Sequence, residues 1–216
     1  MIILFDLDGT IIKSHPGIFN GFKYTFDKLG IELECDNLYE FIGPPVEETL
    51  QTRFNLSVEE ALNGVKIFRQ YYNEKGKFEN ELYNGIDKVI EMCSKYARIG
   101  LATSKPKIHS DEILKEYKLY DYFEYTAGAN EKFNDKTNVI KDALSHIEPK
   151  DNEEIFIVGD RYTDIIGAKN VGIKSIGVLY GYGDIEELET HGADYIVKET
   201  KDLYNLLEEL CLATNN

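Results

Sequence analysis

Two aspartates one residue apart, Asp6 and Asp8, close the first apolar run of the chain, Ile2-Ile3-Leu4-Phe5, and Gly9 and Thr10 follow them. A run this short and this continuous reads as a strand buried on both faces. Carboxylates at its end are costly to bury unless a metal ion, a cation or a chemical role accompanies them. A calcium loop starting at Asp6 would need glycine at its sixth position and an acid at its twelfth. The chain has Ile11 and Gly17 there, so that reading fails.

Strand ends of the same kind recur. "ARIGLAT" ends on Thr103, followed by Ser104, and "EIFIVGD" ends on Asp160, with Asp164 four residues later. Lys136 opens a helical stretch just before the latter. Ligands of open α/β sheets bind beyond the carboxyl ends of the strands, which is where these residues sit. One chemistry uses them all. Carboxylates from two strand ends hold Mg²⁺, a hard cation that prefers oxygen donors. The metal, a lysine and the hydroxyls and amides of Thr103 and Ser104 neutralise a phosphoryl group. Asp6 attacks phosphorus, while Asp8 gives a proton to the leaving oxygen and later takes one from water. For this, the first strand must lie centrally, between the strands ending at Thr103 and Asp160.

The elements that must position these residues follow from periodicity. Beyond about residue 97, apolar runs ("ARIGLAT", "EIFIVGD", "KSIGVLYG", "ADYIV" and a shorter "FEYTAG") alternate with helical stretches over 106–117, 136–147, 163–171, 185–191 and 201–212. That rhythm predicts an α/β fold, a Rossmann-like parallel sheet with helices on both faces and the first strand central. Residues between Asp8 and Leu82 break the rhythm and hold no convincing strand. Helices are expected from Pro16 to Gly30, from Pro45 to Phe54, and after a capping box at Ser57 and Glu60, ending at Gly76. So long a connection exceeds one crossover helix. The expected division is a catalytic core of residues 1–14 and 82–216 and an inserted all-helical cap domain of 15–81.

Composition narrows the classes of function. The 216 residues carry a formal net charge of −15, with 24 basic and 39 acidic side chains. That opposes binding to nucleic acid or to an anionic membrane surface. Cys35, Cys93 and Cys211 are widely spaced and form no CxxC pair, which suits reduced thiols in a cytoplasmic protein. No basic leader precedes the first apolar run, and no run reaches membrane-spanning length. The four histidines join no constellation, and Gly181-Tyr182-Gly183 lacks the third glycine of a dinucleotide loop.

"DLDGT" at 6–10, "TS" at 103–104, Lys136 in "NDKTNVI" and "GDRYTD" at 159–164 resemble the four signature motifs of the haloacid dehalogenase-like hydrolases. "FIGPPVEETL" and "DRYTDIIGAKNVGIKSIGVLYGYG" are similar to the phosphoglycolate phosphatase-type branch with a helical cap. The resemblance implies that Asp6 is nucleophile and Mg²⁺ ligand. Asp8 is implied as acid/base, lending its backbone carbonyl to the metal. Thr103 and Ser104 would contact phosphate, Lys136 would steady its charge, Asp160 would ligate Mg²⁺, and Asp164 would support the site from behind. Dehalogenases and P-type ATPases lack an aspartate at the position of Asp8, so its presence favours turnover of an aspartyl phosphate. Ser104 departs from the commoner "TNK" form.

The expected activity is a Mg²⁺-dependent phosphatase acting on a small phosphorylated metabolite, phosphoglycolate first. Nucleotidase, pyrophosphatase and β-phosphoglucomutase-like phosphomutase are alternatives. A non-catalytic, phospho-regulated binding module is an alternative of a different class. The turn "GPP" places Gly43 as a substrate-contacting candidate, and Arg53 and Arg69 are candidate carboxylate partners. The protein is expected as a monomer or homodimer.

Overall fold

The computed structural model describes residues 1–32, 38–42, 46–130 and 135–214. The chain forms two compact units, Met1–Lys13 with Leu82–Asn216, and Ser14–Glu81.

The larger unit is built on strand β1 (Ile2–Phe5), followed by the two-residue strand β2 (Ile12–Lys13). After the insert come β3 (Glu81–Leu82), helix α4 (Ile86–Tyr96), β4 (Arg98–Pro106), α5 (Lys107–Glu116), β5 (Tyr125–Ala129), α6 (Lys136–Ile147) and β6 (Ile155–Gly159). Helix α7 (Tyr162–Val171), β7 (Lys174–Val178), α8 (Ile185–Thr190), β8 (Tyr195–Val197) and α9 (Thr200–Thr214) complete it. Six strands form one sheet in the order β5-β4-β1-β6-β7-β8, with parallel pairing throughout. β1 is central, flanked by β4 and β6, in agreement with the expected strand order.

Alternation along β1 explains its continuous hydrophobicity. Ile3 and Phe5 face one layer with side chains of α4, α5 and α9, and Ile2 and Leu4 face the other with those of α6 and α7. All four are fully buried. A strand covered on both faces needs apolar residues at every position.

The insert carries α1 (His15–Leu29), α2 (Val46–Phe54) and α3 (Val58–Glu74) around a core of Phe22, Phe26, Phe41, Leu50, Ala61, Phe68 and Tyr72. The capping box forms: the Ser57 N–H donates to Glu60 at 2.9 Å, and the Glu60 N–H donates to Ser57 Oγ at 3.3 Å.

Two features differ from the expectation. The stretch from Asp8 to Leu82 does contain strand, because β2 and β3 pair as a ribbon at its two ends. Two residues each are too few for a period to register. Helix α4 was not anticipated either, although Ile86, Val89, Ile90 and Cys93 mark its buried face. No helix among the described residues is long and apolar enough to cross a membrane.

Candidate active site

Parallel register brings three strand ends together. Phe5 pairs with Leu101 of β4 and Val158 of β6, so Asp6, Thr103 and Asp160 leave the same edge of the sheet. Asp6 stays in the ladder, its N–H donating to the Val158 carbonyl at 2.8 Å. Asp6 (6% exposed), Thr103 (1%) and Asp160 (0%) are buried, whereas Ser104 is exposed. A register shift between Thr103 and Pro106 breaks the β4–β5 pairing. Across that irregularity the Lys105 N–H donates to Thr103 Oγ1 at 3.2 Å, which leaves the hydroxyl proton of Thr103 available to another acceptor.

Lys136 sits in the first turn of α6 yet points inward. Its Nζ lies 2.6 Å from Asp6 Oδ1 and 2.7 Å from Asp164 Oδ1, and donates to the Ala102 carbonyl at 3.0 Å. Asp164, in the first turn of α7, also accepts from the Arg161 N–H at 3.1 Å. It serves helix and site together. Burial disfavours the charge on Lys136, but Asp164 and Asp6 outweigh it and raise its pKa. Burial pushes the Asp6 carboxyl up to about 6, against the pull of Lys136 and with a further push from Asp164 and Asp8. Asp160 is raised well above the usual carboxylate range, first by burial and then by the charges of Asp164 and Asp6.

Carboxylate oxygens of Asp6, Asp160 and Asp164 lie within 4.8 Å of one another. Oδ2 of Asp160 accepts from the Tyr182 N–H at 2.8 Å, and its buried Oδ1 has no hydrogen-bond partner among the described residues. A buried carboxylate oxygen with no hydrogen bond, beside two further carboxylates, makes a set of hard oxygen donors. It fits Mg²⁺. The glycines explain how backbone comes so near. A Cβ on Gly9, whose φ is +81°, would fall 2.0 Å from Asp160 Oδ2, and one on Gly181 would fall 2.3 Å from Asp160 Cβ. The Gly181-Tyr182-Gly183 run is therefore a cradle for this carboxylate.

Asp8 is met by a residue that sequence reasoning passed over. Lys105 Nζ donates to its Oδ1 at 2.9 Å and Oδ2 at 2.8 Å. A lysine in a polar strand-end run is expected in solvent, and the signal that could have found it is that Lys105 supplies the lysine of the "TNK" form from which Ser104 departs. Gly43 lies outside the described residues. Arg53 and Arg69 are exposed on α2 and α3.

Comparison with known proteins agrees with this geometry. The sequence model of the family described as haloacid dehalogenase-like hydrolase matches residues 3–178. A 5'-nucleotidase of Pseudomonas aeruginosa is 30% identical over 212 residues, 95% of each chain. The pyrophosphatase PpaX of Bacillus mycoides is 27% identical over 212 residues, 96% of this chain and 97% of its own. The crystal structure of a predicted phosphatase from Clostridium acetobutylicum superposes with a TM-score of 0.87 at 36% identity, covering 96% of this chain and 98% of that one.

Proposed function

The chain belongs to the haloacid dehalogenase-like hydrolase family, and from that premise we propose that it is a Mg²⁺-dependent phosphatase of small phosphorylated metabolites working through an aspartyl phosphate. The observation that carries this reading is the position of Asp6, at the end of the central strand with its carboxylate on Lys136. Asp6 Oδ attacks phosphorus, the ester P–O bond breaks, and the departing oxygen takes the proton of Asp8. Alcohol leaves, and Asp8, now ionised, removes a proton from the water that hydrolyses the acyl phosphate, restoring both acids. Thr103 donates its hydroxyl to a phosphoryl oxygen, and Lys136 offsets the charge gathered there. Asp6, Asp160 and the Asp8 backbone carbonyl would hold Mg²⁺, with Asp164 fixing Lys136 and facing the metal. When bound, the metal supplies positive charge to the phosphoryl oxygens.

A second reading, release of inorganic phosphate from a nucleotide or from pyrophosphate, is favoured by the names of the relatives with near-full-length matches. Phosphoglycolate rests on motif resemblance. The insert carries none of the chemical motifs, so it is the natural source of leaving-group selection. Gly43, Arg53 and Arg69 are its candidate contacts.

The test is phosphate release over a metabolite panel with p-nitrophenyl phosphate as the generic ester, with and without Mg²⁺. Turnover that needs Mg²⁺ is expected. No turnover of any ester, with acyl phosphate accumulating on Asp6 instead, would leave the non-catalytic module as the answer. Dependence on a sugar bisphosphate would point to a mutase.

A further inference from the structure

Two acids with different tasks stand at the end of β1, and each meets its own lysine. Lys136 reaches Asp6 from α6. From the stretch where β4 loses register, Lys105 reaches Asp8 with both carboxylate oxygens engaged, at 2.9 and 2.8 Å. The reaction described above uses Lys136 and leaves Lys105 without a task.

The pair is not an ordinary surface ion pair. The Lys105 side chain is 6% exposed and that of Asp8 22%. An ammonium shielded from water to this degree is costly to leave unpaired, and here both oxygens of Asp8 meet it. The Lys105 backbone is fixed by the N–H donated to Thr103 Oγ1. Asp8, by contrast, follows Leu7 into a short turn in which the N–H groups of Thr10, Ile11 and Ile12 all converge on the Leu7 carbonyl. Nothing in that turn fixes the carboxylate about its own side-chain torsions. An ammonium bridging both oxygens does.

We propose that Lys105 is a positioning residue for Asp8: its ammonium spans both oxygens of the ionised carboxylate and keeps one of them when the other carries the proton, so that the acid meets the departing oxygen and the base meets the attacking water. The assignment rests on the phosphatase reading. It concerns placement: an acid displaced by about 1 Å loses on the order of a hundredfold in rate. Lys105 touches neither phosphorus nor metal in this role. Its removal should therefore lower kcat and leave KM nearly unchanged.

The experiment is a double-mutant cycle. Lys105→Met, Asp8→Asn and the double variant are assayed with the best alkyl phosphate from the panel and with p-nitrophenyl phosphate, with thermal melts alongside. Lys105→Met alone is expected to lower kcat on the alkyl ester by about tenfold to a hundredfold, with KM within about twofold and a smaller loss on the aryl ester. In the Asp8→Asn background it should cost almost nothing further, because the group it places is gone. Equal losses in both backgrounds would overturn the assignment. So would a raised KM with kcat intact, which would make Lys105 a substrate contact. Lys105→Gln carries the same cycle if the methionine variant fails to fold, and Lys105→Arg, which keeps a cation, should recover part of the alkyl rate. Absence of turnover in the parent protein would overturn the phosphatase reading instead, so the two failures are distinguishable.

Discussion

Gly9 and Asp160 are in contact across the two central strands: a Cβ added to Gly9 would fall 2.0 Å from Oδ2 of the carboxylate. The turn after β1 and the end of β6 therefore share one small volume. Gly9→Ala places a methyl group there and also forces a side chain onto a φ of +81°. The expected cost is on the order of 1–3 kcal/mol in stability. Displacement of Asp160 should also shrink the rise in Tm that Mg²⁺ gives the parent protein. Melts with and without Mg²⁺ measure both, and an unchanged Mg²⁺ response would separate Gly9 from the metal site.

Asp6→Asn should keep the fold and lose turnover by at least about a thousandfold, because an amide is no nucleophile toward phosphorus. Asparagine matches aspartate in size and still accepts from Lys136. A purified variant retaining a tenth of parental kcat would refute the covalent route.

Asp8→Asn should lower kcat on an alkyl phosphate by about a hundredfold or more, and less on p-nitrophenyl phosphate, whose leaving group departs without a proton. The ratio of the two losses is the measurement. Equal losses would deny Asp8 the acid role.

Asp160→Asn should stabilise the metal-free protein and abolish its Mg²⁺ response. The buried carboxylate is held well above its usual pKa by burial and by Asp164 and Asp6, so its ionised form opposes folding until a cation arrives. Melts in EDTA near pH 8 should give a higher Tm for the variant than for the parent. Activity should vanish with EDTA and return with Mg²⁺. Ca²⁺ should inhibit, because its looser shell misplaces Asp6.

The pH dependence of stability follows from Asp6. Burial raises its pKa from 3.8 to about 6 in the folded protein, so the folded state keeps a proton that the unfolded chain has released in that window. In EDTA, the Asp6 contribution to stability should fall as pH rises from 3.8 to about 6, by about 1 kcal/mol per pH unit at most, and stay level above. The Tm difference between Asp6→Asn and the parent should grow over this range. A difference independent of pH would contradict the shift.

Much of this site is legible in the chain because its parts lie at strand ends. Ile2 to Phe5 leave no polar position before Asp6, and "EIFIVGD" leaves none before Asp160. A buried strand must stop where carboxylates begin, so hydrophobic pattern alone marks the edge where the candidate site lies. The central place of β1 was also deducible, since Asp6 meets both Thr103 and Asp160 in no other strand order. Local patterns were less generous with β2 and β3, which are held by pairing across the insert.

Only the tertiary structure decided which groups answer each other. Lys136 and Lys105 are 130 and 97 residues from the acids they meet. Nothing in a lysine's neighbours states that its ammonium turns inward, because that depends on which loop the fold brings above it. The same holds for Gly181, whose missing side chain matters only because Asp160 lies against it. Sequence determined the residue types, the strand ends and the chemistry they allow. Packing fixed the distances, and with them which carboxylate is raised by burial, which is paired, and which oxygen of Asp160 is left for a cation.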